Sequence, residues 1–155
     1  NVRKRFPEGL VTFGEMQVAN SSRNTIPGQI QWTIDLRNPN DAALKDMEVE
    51  TRKILQTLAE QHDLDISISQ HWLSPATYFD KACVETVQQA VDTLGYSNQT
   101  IVSGAGHDAI NFAKHCPATM FFIPCFDGLS HNEAEDVYAC DAAQGADVLL
   151  NAILN

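Results

Sequence analysis

Hydrophobic and polar positions follow different rules in the two halves of the chain. In QIQWTIDLR, residues 29–37, Ile30, Trp32, Ile34 and Leu36 alternate with Gln31, Thr33, Asp35 and Arg37. A period of two over that length predicts a half-buried antiparallel strand. LVTFGEMQV, residues 10–18, alternates less cleanly and is its expected partner, joined to it by the turn-rich ANSSRNTIPG. NPND then opens a helix whose apolar stripe is Leu44, Met47, Ile54, Leu55 and Leu58. LDISIS, residues 64–69, alternates again. The first half therefore reads β-β-α-β, an antiparallel α+β unit covered by helix on one face.

The grammar changes near HWLSPATYFD, residues 71–80. Asp80 is placed to cap a helix carrying Val84, Val87, Val91 and Leu94, with Gly95 ending it. A short strand TIV, the loop SGAGHDA, a helix AINFAKH, a strand ATMFFIP and a last helix through Val148, Leu149 and Ile153 follow. ATMFFIP is apolar on both faces, as a buried parallel strand must be. Strand alternating with helix predicts a parallel α/β sheet. Ligands of such sheets bind beyond the carboxyl ends of the strands. SGAGHDA and CFDGLSH both leave such ends, so His107, Asp108 and His131 are expected near one rim.

Composition narrows the partners. The 155 residues fit one ordinary domain or two small ones. With 44% hydrophobic and 19% charged residues the chain can bury a core. A formal net charge of -10 argues against nucleic acid, because phosphate binding needs clustered Lys and Arg. No apolar run reaches membrane-spanning length, and NVRKRFPEGL has no signal-peptide core. Cys83, Cys116, Cys125 and Cys140 lack C-x-x-C spacing and read as buried thiols in a reducing, cytoplasmic setting. The start at Asn1, on a polar and unpatterned stretch, reads as a piece of something longer.

Three groups carry candidate chemistry, each with two readings. SGAGHDA is either a glycine cradle for a carboxylate or a tight strand-to-helix turn with Asp108 as N-cap. His131, with Glu133, Glu135 and Asp136 close by, is either a metal ligand or a loop histidine among solvated acids; residue types alone favour the second. Asn24 and Arg37 form either a clamp for a carboxylate or ureido group or a turn Asn and a strand-end Arg paired with Asp35 or Asp41; spacing alone favours the latter.

Taken in order, NSSRNTIPG, DLRNP, SGAGHDA and GLSHNEAE resemble the N-carbamoyl-L-amino acid hydrolases, allantoate amidohydrolases and β-ureidopropionases of the dinuclear-zinc aminoacylase and peptidase superfamily. The likeness covers nearly the whole chain, and the last two motifs are its most specific part. It implies a fold of mixed α/β and α+β type: residues 1–75 as part of an antiparallel α+β lid (dimerisation) domain, and residues 76–155 as the last strands and helices of a parallel-sheet catalytic domain. His131 matches a metal ligand, Asn24 and Arg37 match substrate-binding lid residues, and Gly106 and His107 match a substrate-contacting loop. Glu133 stands where that family commonly has proline.

The resemblance further implies zinc, with manganese, cobalt or nickel as alternatives, two ions per complete subunit, a homodimer, and hydrolysis of a linear amide or ureido C–N bond in a small acid. No catalytic residue of the family pattern lies within this chain, which by itself is expected to be inactive. The alternatives are a sister aminoacylase or peptidase, and a non-catalytic binding or dimerisation module.

Overall fold

The computed structural model describes residues 2–154. The chain divides into two compact units, Asn1–Ala76 and Thr77–Asn155. Among the described residues the architecture is mixed: a two-stranded antiparallel sheet and five α-helices.

In the first unit a short helix α1, Val2–Arg5, precedes strand β1, Leu10–Ala19, and strand β2, Gln29–Arg37. The register pairs Val11 with Leu36, Phe13 with Ile34, Met16 with Trp32 and Val18 with Ile30, so every pair joins two apolar residues on one face. That match needs a bulge. Val11 and Phe13 are out of phase with Met16 and Val18, and Gly14 with Glu15 stands opposite the single residue Thr33. The extra residue returns Met16 and Val18 to the apolar face, which explains why β1 alternates imperfectly. A Cβ on Gly14 would lie 2.8 Å from Thr33 Oγ1, and the Glu15 N–H donates to that same oxygen at 2.9 Å.

Helix α2, Asp41–Gln61, packs on β2. Asn40 caps it, its Oδ1 accepting the Ala43 N–H at 3.0 Å. Met47 is fully buried beside Gly9, and burying such a side chain contributes roughly 1.5–3 kcal/mol. The stripe shifts at its far end: Leu58 is exposed and Ala59 takes the buried position.

In the second unit helix α3, Lys81–Leu94, begins at Asp80, whose Oδ1 accepts the Cys83 N–H at 2.9 Å, and ends at Gly95 in the left-handed region with φ 70°. Helix α4 is the short Ala109–Ala113, and α5 is Ala139–Leu154. α3 packs against α5, with Ala90 and Val148 buried. Residues 118–124 run alongside: Ala118 C=O accepts the Asp80 N–H at 3.0 Å, and Ile123 lies against Gly145 of α5.

Several expectations are corrected. LDISIS, TIV and ATMFFIP form no β-ladder, and no parallel pair occurs among the described residues. A strand needs a ladder of such bonds to a neighbouring strand, and the single Asp80–Ala118 bond does not make one. Leu149 and Ile153 of the last helix are exposed, and so is Val84 of α3. Cys83 and Cys125 are half-buried and Cys116 and Cys140 exposed, so none of the four free thiols is buried. No described helix is long and apolar enough to cross a membrane.

Candidate functional site

Asn24 and Arg37 both belong to the first unit. Asn24 sits in the connection between β1 and β2, where Ser22 and Thr25 form an isolated bridge. Its Oδ1 accepts from Ser22 Oγ at 3.0 Å and from Thr25 Oγ1 at 3.5 Å, so the amide oxygen braces the turn. Arg37 ends β2. Its guanidinium forks onto Asp35, Nε to Oδ1 at 2.7 Å and Nη2 to Oδ2 at 3.3 Å. These residues are two apart on the polar face of one strand, and the Asp35 hydrogen bond raises the Arg37 pKa above its ordinary value.

The hairpin does not present Asn24 and Arg37 together. The connection leads into β2 at Gln29, and Arg37 is at the opposite end of that strand. Eight steps of about 3.3 Å put roughly 26 Å between the strand's ends. The expectation of a single clamp built from both residues is not met within one unit.

Gly106, His107 and His131 belong to the second unit. The loop SGAGHDA folds back on itself. Ser103 Oγ lies 2.9 Å from His107 Nε2 and accepts the Ala105 N–H at 3.2 Å. The His107 ring packs on Phe122, centroids 5.3 Å apart, and both Ser103 and His107 are half-buried. A Cβ built on Gly106 would meet nothing within 4 Å, so the chain's own packing does not require glycine there. Asp108 holds the N-cap position of α4 with αR angles but makes no side-chain capping bond. The reading of Asp108 as a side-chain N-cap is therefore not met, and the Ile110 N–H donates to His107 C=O at 3.0 Å.

His131 lies in a closed loop, residues 126–136. The Phe126 N–H donates to Asp136 C=O at 2.7 Å, and the Phe126 and Tyr138 rings meet edge-on at 5.1 Å. Loops with tied ends of this kind present side chains at their crown. His131 has φ 55°, the left-handed region in which non-glycine residues are uncommon. Glu135 Oε2 accepts its backbone N–H at 2.7 Å. The His131 side chain is exposed. Phe122, against which His107 packs, lies in the segment that leads into this loop.

Ser103 and Glu135 are the two residues whose parts the sequence did not disclose. Each acts through a contact four positions along a loop, where no periodicity marks it. The donor set bears on metal binding: among the described residues no three His, Cys, Asp or Glu side chains gather as a metal shell. These residues do not by themselves fit a metal centre.

The sequence profile of peptidase family M20/M25/M40 matches residues 7–155. An N-carbamoyl-L-amino-acid amidohydrolase of Rhizobium meliloti is 43% identical over 148 residues, covering 96% of this chain and 36% of that protein. The allantoate amidohydrolase of Escherichia coli strain K12 is 32% identical over 147 residues, 94% of this chain and 36% of that protein. A crystal structure of a hydantoinase/carbamoylase family amidase from Burkholderia vietnamiensis superposes with a TM-score of 0.89 at 45% identity, over 96% of this chain and 36% of that one. The chain thus spans about a third of the length of these relatives.

Proposed function

The chain belongs to peptidase family M20/M25/M40, and on that footing we propose that it is part of a metal-dependent amidohydrolase cleaving the linear C–N bond of an N-carbamoyl amino acid or an allantoate-like ureido acid. The observation that carries this reading is the 43% identity, along nearly the whole chain, to a protein named for the N-carbamoyl-L-amino-acid reaction.

In this reading residues 1–75 belong to a lid and residues 76–155 to the catalytic domain. The lid residues bind rather than react. Arg37 offers a planar fork to the substrate's carboxylate, in exchange for part of its pairing with Asp35, and Asn24 offers amide hydrogens, since its oxygen is engaged in the turn. Gly106 lets the substrate approach the backbone, and His107 contacts it from the half-buried loop. His131 is proposed as one ligand of a centre holding two ions, zinc or else manganese, cobalt or nickel. Its other ligands would lie in the part of the relatives' length that this chain does not span, and no catalytic group is assigned here. The cysteine spacing favours a reducing compartment, and we place the enzyme in the cytoplasm.

The length of β2 supports a homodimer. One small acid cannot touch both ends of a nine-residue strand. Asn24 and Arg37 serve the same substrate only if the turn of one subunit meets the strand end of another.

The test uses the full-length protein. Metal-dependent release of the amino acid from N-carbamoyl-L-amino acids, or of ureido products from allantoate, is expected. His131→Ala should lower metal content and nearly abolish turnover while the circular dichroism spectrum is kept. Full metal occupancy and normal turnover in that variant would make His131 an ordinary loop residue.

A further inference from the structure

We propose that Ser103 is a positioning residue that fixes His107 as its Nδ1–H tautomer, so that the imidazole offers a hydrogen-bond donor to an oxygen of the substrate. The second half rests on the reading of His107 as a substrate contact; the first half rests on geometry alone.

Donors and acceptors around Ser103 decide the tautomer. A serine hydroxyl has one proton to give and two lone pairs to receive with. Ser103 Oγ already receives the Ala105 N–H, at 3.2 Å. Its other partner is His107 Nε2, at 2.9 Å. Of these two neighbours only the imidazole nitrogen can accept, because an amide N–H cannot. Both residues are half-buried, where an unused donor is costly. The arrangement that uses every group therefore has the hydroxyl donating to Nε2. In a neutral imidazole the ring proton is then on Nδ1, since the bond made at one nitrogen sets the state of the other. Phe122 packs against the ring and limits the flip that would put a ring carbon in place of Nε2 beside Ser103.

The consequence is chemical selectivity. Nδ1–H can bind a carboxylate or a carbamoyl carbonyl oxygen but cannot receive an amide N–H. His107 would thus read the oxygen side of a ureido acid and leave its NH2 side to other groups. A serine nucleophile with His107 as base needs similar distances, but no carboxylate is hydrogen-bonded to the His107 ring among the described residues to orient it as such a base.

Nitrogen-15 NMR of the histidine-labelled full-length protein tests this, at alkaline pH where imidazole is neutral. The Nδ1–H form is expected for His107 in the unsubstituted protein, and an Nε2–H form there overturns the proposal, whatever the variants do. Ser103→Ala should move His107 toward Nε2–H, the form that free imidazole side chains favour in water, and Ser103→Thr should keep Nδ1–H. An unchanged tautomer in Ser103→Ala removes Ser103 from the role. With an N-carbamoyl-L-amino acid as substrate, Ser103→Ala should raise KM about tenfold with kcat less affected, and Ser103→Thr should restore it. If adding that compound leaves the His107 resonances unmoved while Nδ1–H is seen, the substrate contact fails and the tautomer assignment stands.

Discussion

The carboxylate of Glu135 accepts the backbone N–H of His131 at 2.7 Å and so closes the crown of the loop on the residue proposed above as a ligand. The backbone of His131 is left-handed, at φ 55°. A conformation of this kind persists only when its surroundings hold it. Glu135 is part of that support, together with the Phe126–Asp136 tie at the base of the loop.

Glu135→Ala should accordingly loosen the crown without unfolding the protein. An exposed hydrogen bond of this type is worth about 1 kcal/mol, so the His131 amide should exchange roughly fivefold faster. Glu135→Gln keeps an acceptor oxygen and should show a smaller effect. Hydrogen exchange at His131, compared with an amide of α3 in the same sample, measures it. Equal exchange in all three proteins would show that the bond does not hold the loop.

Gly145 in the middle of α5 invites replacement by alanine, because glycine costs a helix interior about 1 kcal/mol. Here the sign should reverse. A Cβ at Gly145 would lie 2.6 Å from Ile123 Cγ2, and a β-branched side chain cannot swing away freely. Overpacking of this kind typically costs 1–3 kcal/mol. Gly145→Ala should therefore lower Tm, and adding Ile123→Ala should make the second change far cheaper than it is alone. Strict additivity in that cycle would show that the contact is not shared.

Asp80 gives a pH-dependent contribution with a definite sign. The Cys83 N–H bond holds its carboxyl below the ordinary carboxylate range. A group whose folded pKa is depressed stabilises the fold above its unfolded value, about 3.9, and loses that contribution as pH falls through the folded value. Asparagine also caps but does not titrate. Asp80→Asn should leave Tm near neutrality almost unchanged and flatten its fall below about pH 4. An acid limb identical in both proteins would remove Asp80 from the pH dependence.

What was legible in the sequence is what local chemistry decides. The alternation of Ile30, Trp32, Ile34 and Leu36 announced β2, and Asn40, Asp80 and Gly95 marked helix ends because caps are made by neighbours in sequence. β1 was blurred by one inserted residue, which no period of two can express. TIV and ATMFFIP carried strand composition, but pairing depends on a neighbouring strand that composition does not supply. Among the candidate residues, GLSHNEAE and SGAGHDA drew attention through likeness, whereas the contacts that set His107 and His131, from Ser103 and Glu135, appear only once the loops are folded. The separation of Asn24 from Arg37 was hidden because thirteen positions of sequence do not say whether a strand runs between two residues or folds them together.

That separation yields the sharpest test of how the substrate is held. Asn24→Ala and Arg37→Ala homodimers should each lose kcat/KM toward an N-carbamoyl-L-amino acid, roughly 10- to 100-fold, as expected for a lost hydrogen bond to a charged group. Metal content should stay intact in both, since neither residue is proposed as a ligand. In a mixed dimer of the two variants the outcomes divide. If one chain supplies both residues to its own site, every site lacks one of them, and the mixed dimer is as poor as its parents. If β2 keeps them apart and each site draws Asn24 from one subunit and Arg37 from the other, one site of the mixed dimer lacks both and the second has both. Activity should then return to about half that of the unsubstituted dimer. Purifying the mixed dimer through two different affinity tags, and measuring kcat/KM before subunits exchange, decides between them; a mixed dimer without recovery would show that the roughly 26 Å span of β2 does not divide the site between subunits.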